Sequence, residues 1–306
     1  MSVGLLDIGT NSVRLLIPDP DNLLNSSKFI RVTRIGEGVN QRRQLSEEAM
    51  DRTFRGIGEL LEIAGQRGVR EIFAMATSAV RDAANREVFV MRLKAQTGLD
   101  LEIVSGDEEA RLGYLGAVQG LKSARGEAMI VDIGGGSTEL VHLREGTLHR
   151  MKSFDIGAVR LTEMFRVSDP PREEEMQSMR GYIQEVLGDF TQGFAGDLVG
   201  IGGTITTLAA IDEELALYDR KKIHGKTLAA GRIGEIYQQL LSMNLFQRQA
   251  VKGLDPLRAD IIVAGTMILM TLIAKLRVKQ LVVSDFDNLE GYYLKRITID
   301  NPGNML

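Results

Sequence analysis

Leu6-Asp7-Ile8-Gly9-Thr10-Asn11-Ser12 and Val131-Asp132-Ile133-Gly134-Gly135-Gly136-Ser137 are two copies of one pattern, 125 residues apart. Each copy runs apolar strand, aspartate, small flexible turn, hydroxyl, second strand. Apolar residues precede both, and Leu15 and Leu140 follow in register. Two copies at nearly half the chain length predict two related domains facing one cleft. Glycines in such a turn let backbone N–H groups approach an anion, and Ser or Thr adds a donor, so the pattern suits phosphate. An aspartate in the same turn repels phosphate unless a cation lies between them. Asp7 and Asp132 therefore imply a divalent metal, and an all-oxygen ligand set favours Mg2+ or Mn2+. Glu139, two residues beyond Ser137, is the third candidate ligand.

Outward from these turns, strand-like and helix-like segments alternate, which predicts α/β layers. In the first half the strands are Gly4 to Asp7, Ser12 to Ile17, Glu71 to Thr77 and Leu101 to Val104. Ser46 caps a helix with apolar residues at Met50, Phe54, Ile57, Leu61 and Ala64, and Gly65 and Gly68 end it. Further helices are expected over Asn85 to Thr97 and Asp107 to Leu121. The polar stretch Lys122-Ser123-Ala124-Arg125-Gly126 reads as a domain junction. Strands follow at Ala128 to Ile133, Glu139 to Leu143 and Leu148 to Phe154, then helices over about 157–166 and 171–190, then a strand at Leu198 to Ile201. Ile261 to Ala274 is apolar but short of the ~20 residues that span a bilayer, so it reads as a core helix. Asp255-Pro256 supplies its cap and first turn.

Composition narrows the chemistry. The chain has 306 residues and 33 glycines, where ~7% would give about 21. With only 6 prolines it is not a low-complexity sequence. Zero cysteines exclude a disulfide scaffold, a thiolate metal site and a cysteine nucleophile. Three histidines leave little room for a zinc centre. A net charge of −4 argues against a generally basic nucleic-acid or membrane binder. The N-terminal run carries Asp7 and Arg14 and no basic leader region, so it reads as a buried strand, and a cytoplasmic protein is expected.

Three further segments bear on the site. Val199-Gly200-Ile201-Gly202-Gly203-Thr204 leads a strand through glycines into a helix N-terminus, a geometry that favours anions. Ser105-Gly106-Asp107-Glu108-Glu109 puts three carboxylates in one first helical turn. Dipole complementation, worth ~0.3–1 kcal/mol, is one account of them. The other is a general base for water, its pKa raised near phosphate charge. Thr77-Ser78-Ala79-Val80-Arg81-Asp82 offers Arg81 as a bidentate phosphate clamp. Lys221, Lys222, Arg42 and Arg43 suit either a long polyanion or a solvated surface.

Taken together, the segments resemble the exopolyphosphatase/guanosine-pentaphosphate phosphatase (Ppx/GppA) family, of the actin-like, ribonuclease H-like superfamily. The matching stretches include DIGTNSVRLLI (7–17), RIGEGV (34–39), ATSAVRDAANREVF (76–89), VSGDEEARLGYLGAV (104–118), VDIGGGSTEL (131–140), DIGAVRLTEMF (155–165), VGIGGTITTLAAI (199–211), YDRKKIHG (218–225) and RADIIVAGTMIL (258–269). They follow the family's order over most of the chain and fit its short, two-domain form. The resemblance implies two actin-like domains flanking a central cleft. The first would span 1–122 and the second 123–297, with about 298–306 packing back on the first.

It also implies roles. Glu109 matches the carboxylate that activates water, and Asp132 and Glu139 match the metal-associated acids. Arg81, Asn11, Ser12, Gly135, Gly136 and Ser137 match positions lining phosphate, which Gly134, Gly202 and Gly203 extend. The implied substrate is inorganic polyphosphate or guanosine pentaphosphate, the cofactor Mg2+ or Mn2+, and the assembly a homodimer. Near its end the family usually shows Ser-Asp-Phe-Gly-Leu-Arg-Glu-Gly. This chain has Ser284-Asp285-Phe286-Asp287-Asn288-Leu289-Glu290-Gly291, so Leu289 replaces the arginine and Asp287 the glycine. That change removes a positive charge and adds a negative one, expected near the second domain's turn. A nucleotide-dependent kinase of the same superfamily and a non-catalytic polyphosphate or alarmone binder are the competing readings.

Overall fold

The structure, a computed structural model, describes residues 2–121, 126–165 and 167–300. Contacts divide the chain into two units, Met1–Gly116 with Asn288–Leu306, and Ala117–Asp287. The expected junction at 122–126 lies outside the described residues apart from Gly126. The chain returns to the first unit at Asn288, where about 298 was expected.

Unit 1 contains β1 (Val3–Ile8), β2 (Ser12–Ile17), β3 (Ser27–Val32), α1 (Val39–Arg42), α2 (Glu47–Gln66), β4 (Glu71–Ala76), α3 (Ser78–Asp82), α4 (Arg86–Thr97), β5 (Leu101–Ile103) and most of α5 (Gly106–Gly120). Its sheet has the order β3-β2-β1-β4-β5. β1 is antiparallel to β2 and parallel to β4. Successive residues of β1 serve opposite faces, as a pleated strand requires. Leu6 and Ile8 face a core shared with Met50, Ile57 and Leu60 of α2 and Phe89 and Leu93 of α4. The Ser46 hydroxyl caps α2 by accepting from the Ala49 N–H at 3.2 Å. Leu60 is the fully buried leucine of that helix and Leu61 is half-buried. Gly65 lies within α2, and the left-handed Gly68, φ +72°, follows its end.

Unit 2 contains β6 (Ala128–Ile133), β7 (Thr138–Arg144), β8 (Thr147–Phe154), α6 (Ala158–Phe165), α7 (Glu173–Leu187), β9 (Asp197–Ile201), α8 (Gly202–Asp212), α9 (Arg220–Ile223), β10 (Thr227–Ala229), α10 (Ala230–Leu241), α11 (Leu245–Gln249), α12 (Ile262–Leu276) and β11 (Gln280–Val283). Its sheet has the order β10-β11-β9-β6-β7-β8. Setting β6 on β1, this repeats the first sheet strand for strand and adds β10 at one edge. The pairing directions agree as well, β6 being antiparallel to β7 and parallel to β9. α12 is buried along most of its length, as its apolar run requires. Asp255 and Pro256 do not open it. They cap a separate 3-10 turn, Pro256–Arg258, because the Asp255 carboxylate accepts from the Leu257 N–H at 2.9 Å. Among the described residues no helix is long and apolar enough to cross a membrane.

The last helix, α13 (Asn288–Asp300), completes unit 1. Its Leu289, Tyr292 and Tyr293 pack with Leu5, Leu16, Met75, Val104 and Leu112 on the sheet face opposite α2. Each large apolar side chain buried there contributes roughly 1.5–3 kcal/mol. Gly291 allows the close crossing, since a Cβ there would fall 1.9 Å from the Leu112 carbonyl oxygen.

Candidate functional site

The two turn patterns are the same structure. In each, the glycine after the Asp-Ile pair donates its N–H to the carbonyl of the hydroxyl residue, Gly9 to Ser12 and Gly134 to Ser137, both at 3.0 Å. The next carbonyls are then taken by a neighbouring segment. Thr10 accepts from Gly36 at 2.9 Å, and Asn11 accepts from Thr33 and Arg34. In unit 2, Gly134 accepts from Ala158, and Gly135 from Val159 and Arg160, all at the start of α6. Gly136 accepts from the Arg160 Nε at 2.7 Å. With these carbonyls turned away, the N–H groups of Gly135 and Gly136 have no partner among the described residues. A nest of outward N–H groups is an anion cradle. Gly157 permits it, because a Cβ there would sit 2.4 Å from the Gly135 carbonyl oxygen. In unit 1 the Asn11 carboxamide is buried, and neither Oδ1 nor Nδ2 has a partner among the described residues.

What differs is the residue across the strand. Asp7 pairs in register with Arg14. Arg14 donates its Nε to Asp7 Oδ2 at 3.0 Å, reinforces this through Nη2, and also donates Nη2 to Asn288 Oδ1 at 2.6 Å. Asp132 instead pairs in register with Glu139. Both carboxylates are buried, and the Ser153 hydroxyl donates to Glu139 Oε1 at 2.7 Å. Like charges directly opposite on two strands destabilise the sheet, so this pair is suited to a shared cation.

The glycine turn after β9 joins the same half of the site. Gly202 has φ +83°, and a Cβ there would lie 2.1 Å from Asp132 Oδ1. A Cβ on Gly203 would lie 1.9 Å from Arg258 Nη1. The start of α8 is thus flanked by the Asp132 carboxylate and the Arg258 guanidinium. Arg258 was not singled out from sequence, since it reaches this turn from a 3-10 segment 55 residues downstream.

Of the three carboxylates at the start of α5, one is buried. Asp107 is exposed, Glu108 is paired to Lys295 at 2.7 Å, and Glu109 is enclosed. The fold thereby separates Glu109 from its neighbours, which helix-dipole arguments alone treat alike. Arg81 Nη1 donates to Glu109 Oε2 at 2.8 Å and to the Val104 carbonyl at 3.2 Å. Arg81, expected as a phosphate clamp, therefore has Nη1 committed to Glu109. Burial pushes the Glu109 carboxyl above the usual carboxylate range. The Arg81 charge and hydrogen bond pull it back, Asp7 adds to the rise, and a Thr77 hydrogen bond opposes it.

Unit 1 therefore holds Asp7, Asn11, Ser12, Arg81 and Glu109, and unit 2 holds Asp132, Gly134, Gly135, Gly136, Ser137, Glu139, Gly202 and Gly203. Leu289 was expected near the second domain's turn. It is instead fully buried in unit 1, because it sits on the α13 face that meets β1 and β2.

Two α/β units built on one topology and one phosphate-type turn define an actin-like two-domain protein, and its structural neighbours share that fold. The chain belongs to the Ppx/GppA phosphatase family, whose profile matches residues 23–297, and it is a hydrolase. Exopolyphosphatase 2 of Mycobacterium tuberculosis is 36% identical over 95% of this chain and 97% of its own. The crystal structure of the Aquifex aeolicus family member is 33% identical, covers 98% of this chain and 99% of its own, and superposes with a TM-score of 0.81. That of an exopolyphosphatase from Cytophaga hutchinsonii is 28% identical, covers 97% and 98%, and has a TM-score of 0.88.

Proposed function

We propose that this protein is an exopolyphosphatase that releases terminal orthophosphate from inorganic polyphosphate by attack of water. The observation that carries the mechanism is Glu109: a buried carboxylate, its pKa raised by burial, fixed by Arg81. A base with a raised pKa abstracts a proton more effectively near neutral pH than an ordinary carboxylate. Glu109 accepts a proton from the attacking water as the new oxygen–phosphorus bond forms, while the phosphoanhydride bond to the rest of the chain breaks and the shortened chain leaves with the bridging oxygen as its new terminal phosphate oxyanion. Arg81 holds the carboxylate in one orientation and steadies its charge. The N–H groups of Gly135 and Gly136, with the Ser137 hydroxyl, the start of α8 and Arg258, stabilise the phosphate oxygens. Asn11 and Ser12 give unit 1 its own donors for the chain.

Asp132 and Glu139 form the donor set for Mg2+ or Mn2+. Among the described residues no group of three or more His, Cys, Asp or Glu is placed to hold a metal. A pair fits, since Mg2+ in phosphate sites is commonly held by one or two carboxylates plus substrate oxygens. The bound ion would neutralise phosphate charge and so permit anions beside two acids. Ser153 orients Glu139 for this task, and Asp7 serves unit 1 by fixing Arg14.

Guanosine pentaphosphate presents the same kind of terminal phosphoryl group and is the second substrate of this reading. The test is orthophosphate release from long polyphosphate, short polyphosphate and guanosine pentaphosphate, each with Mg2+ and with Mn2+ and without an acceptor. ATP-dependent transfer to a small molecule, with no release from polyphosphate, would sink the reading.

A further inference from the structure

We propose that the segment from Leu217 to Lys222 of unit 2, which runs into α9, is a nucleoside subsite, in which the ring of Tyr218 stacks against the base of a nucleoside polyphosphate. This rests on the reading of the α8 turn as a phosphate site.

The segment combines features that a chain of bare phosphates does not need. Leu217 is 85% exposed and Tyr218 55% exposed. Their apolar surface faces solvent next to Lys221 and Lys222, whose ammonium groups have no ion-pair partner among the described residues. Tyr218 is nevertheless held in place at its far end. Its hydroxyl donates to Asp285 Oδ2 at 2.5 Å, and the other oxygen of that buried carboxylate is gripped by Arg220, at 2.8 Å from Nε and 2.7 Å from Nη2. Ser284, next to Asp285, donates its N–H to the Gly200 carbonyl at 2.8 Å. The carboxylate that anchors the tyrosine therefore lies beside the end of β9, two residues before α8 begins.

An aromatic side chain anchored by its hydroxyl presents its ring with little entropy left to lose. A ring fixed beside a phosphate turn is a stacking face, and stacking tolerates any planar base. Inorganic polyphosphate has no group that could use such a face. A nucleoside carried on the same phosphates does, and the two lysines match its remaining charge.

Calorimetric titration of the full chain with GTP and with inorganic tripolyphosphate, both with Mg2+, tests this without requiring turnover. The two probes share a triphosphate and differ in the nucleoside. The wild type is expected to bind GTP more tightly. Tyr218→Ala is expected to weaken GTP about tenfold, a typical loss for one stacked base, and tripolyphosphate less than about twofold. Tyr218→Phe keeps the ring and should stay within about threefold of wild type for GTP. The double variant Lys221→Ala/Lys222→Ala should weaken both probes together. Equal affinity of the wild type for the two probes, binding of neither, or a Tyr218→Ala loss shared equally by both overturns the proposal. Near-ultraviolet circular dichroism identifies a misfolded variant, and Tyr218→Phe then decides alone: a GTP affinity far below wild type with tripolyphosphate unchanged contradicts stacking. Failure of the phosphohydrolase reading looks different, as absent phosphate release from polyphosphate by the wild type.

Discussion

In unit 1 the aspartate of the turn faces Arg14 across the strand, and in unit 2 the matching aspartate faces Glu139. Both turns share the same closing bond, and both give carbonyls to a neighbouring segment. One cross-strand position therefore changes what the turn does. A guanidinium there neutralises its aspartate internally and ties it to α13 through Asn288. A carboxylate there doubles the negative charge and creates a place for a cation. On the proposed reading, the residue seven positions on decides whether an Asp-Ile-Gly turn serves a metal.

The widest separation between the halves should appear in turnover. Glu109→Gln removes the proposed base and is expected to lower kcat by ~10²–10⁴-fold while KM stays close to wild type. Steady-state phosphate release checks it, and an unchanged kcat moves the base elsewhere. Arg14→Leu strips the internal neutralisation from unit 1. Leaving Asp7 buried without its partner should cost about 3 kcal/mol or more of stability, read from urea unfolding monitored in the far ultraviolet. Glu139→Arg copies the unit 1 arrangement into unit 2. It should weaken metal affinity by at least about 100-fold, beyond what losing a supporting residue does, measured as the Mg2+ concentration for half-maximal activity. Retained metal dependence would erase the distinction drawn between the hairpins.

A subtler comparison concerns protons. As the proposed base Glu109 would act when deprotonated, so kcat/KM is expected to fall as pH drops through its pKa. Burial places that acid limb above the range of an ordinary glutamate, and Arg81 holds it partly down. Arg81→Ala should therefore move the limb upward by about one unit or more. A downward shift would contradict the sign. The smallest effect is expected from Ser153→Ala, which frees Glu139 Oε1 and should cost about tenfold in metal affinity, in keeping with a residue that only orients a ligand.

Much of this was legible in the chain itself. The doubled turn could be read because its chemistry is local, with aspartate, glycine and hydroxyl within seven residues. The buried strands around it were legible for the same reason. β3 was not expected, and its residues are mostly half-buried, so no alternation marks it. β11, only four residues long, was missed too. The opposition of Asp7 to Arg14 and of Asp132 to Glu139 needed the strand register, which composition does not carry. Arg258 needed the tertiary fold. Glu109 was set apart from Glu108 by the family resemblance, and the fold adds a physical reason, since Lys295 of α13 takes up Glu108. Leu289 shows the limit most clearly. Its neighbours in sequence belong to unit 2, and only the turn of the chain at Asn288 puts it in the core of unit 1.

The place of α13 has a consequence for how the molecule is made. Unit 2 is one continuous stretch of chain, so all of it has been synthesised before α13 exists. The sheet of unit 1 is translated before unit 2, yet Leu5 and Leu16 lack part of their covering layer until Leu289, Tyr292 and Tyr293 emerge. Domains generally fold as units during synthesis, N-terminal first. Here that order is inverted, and β1, made before all of unit 2, is fully sealed from water only after it.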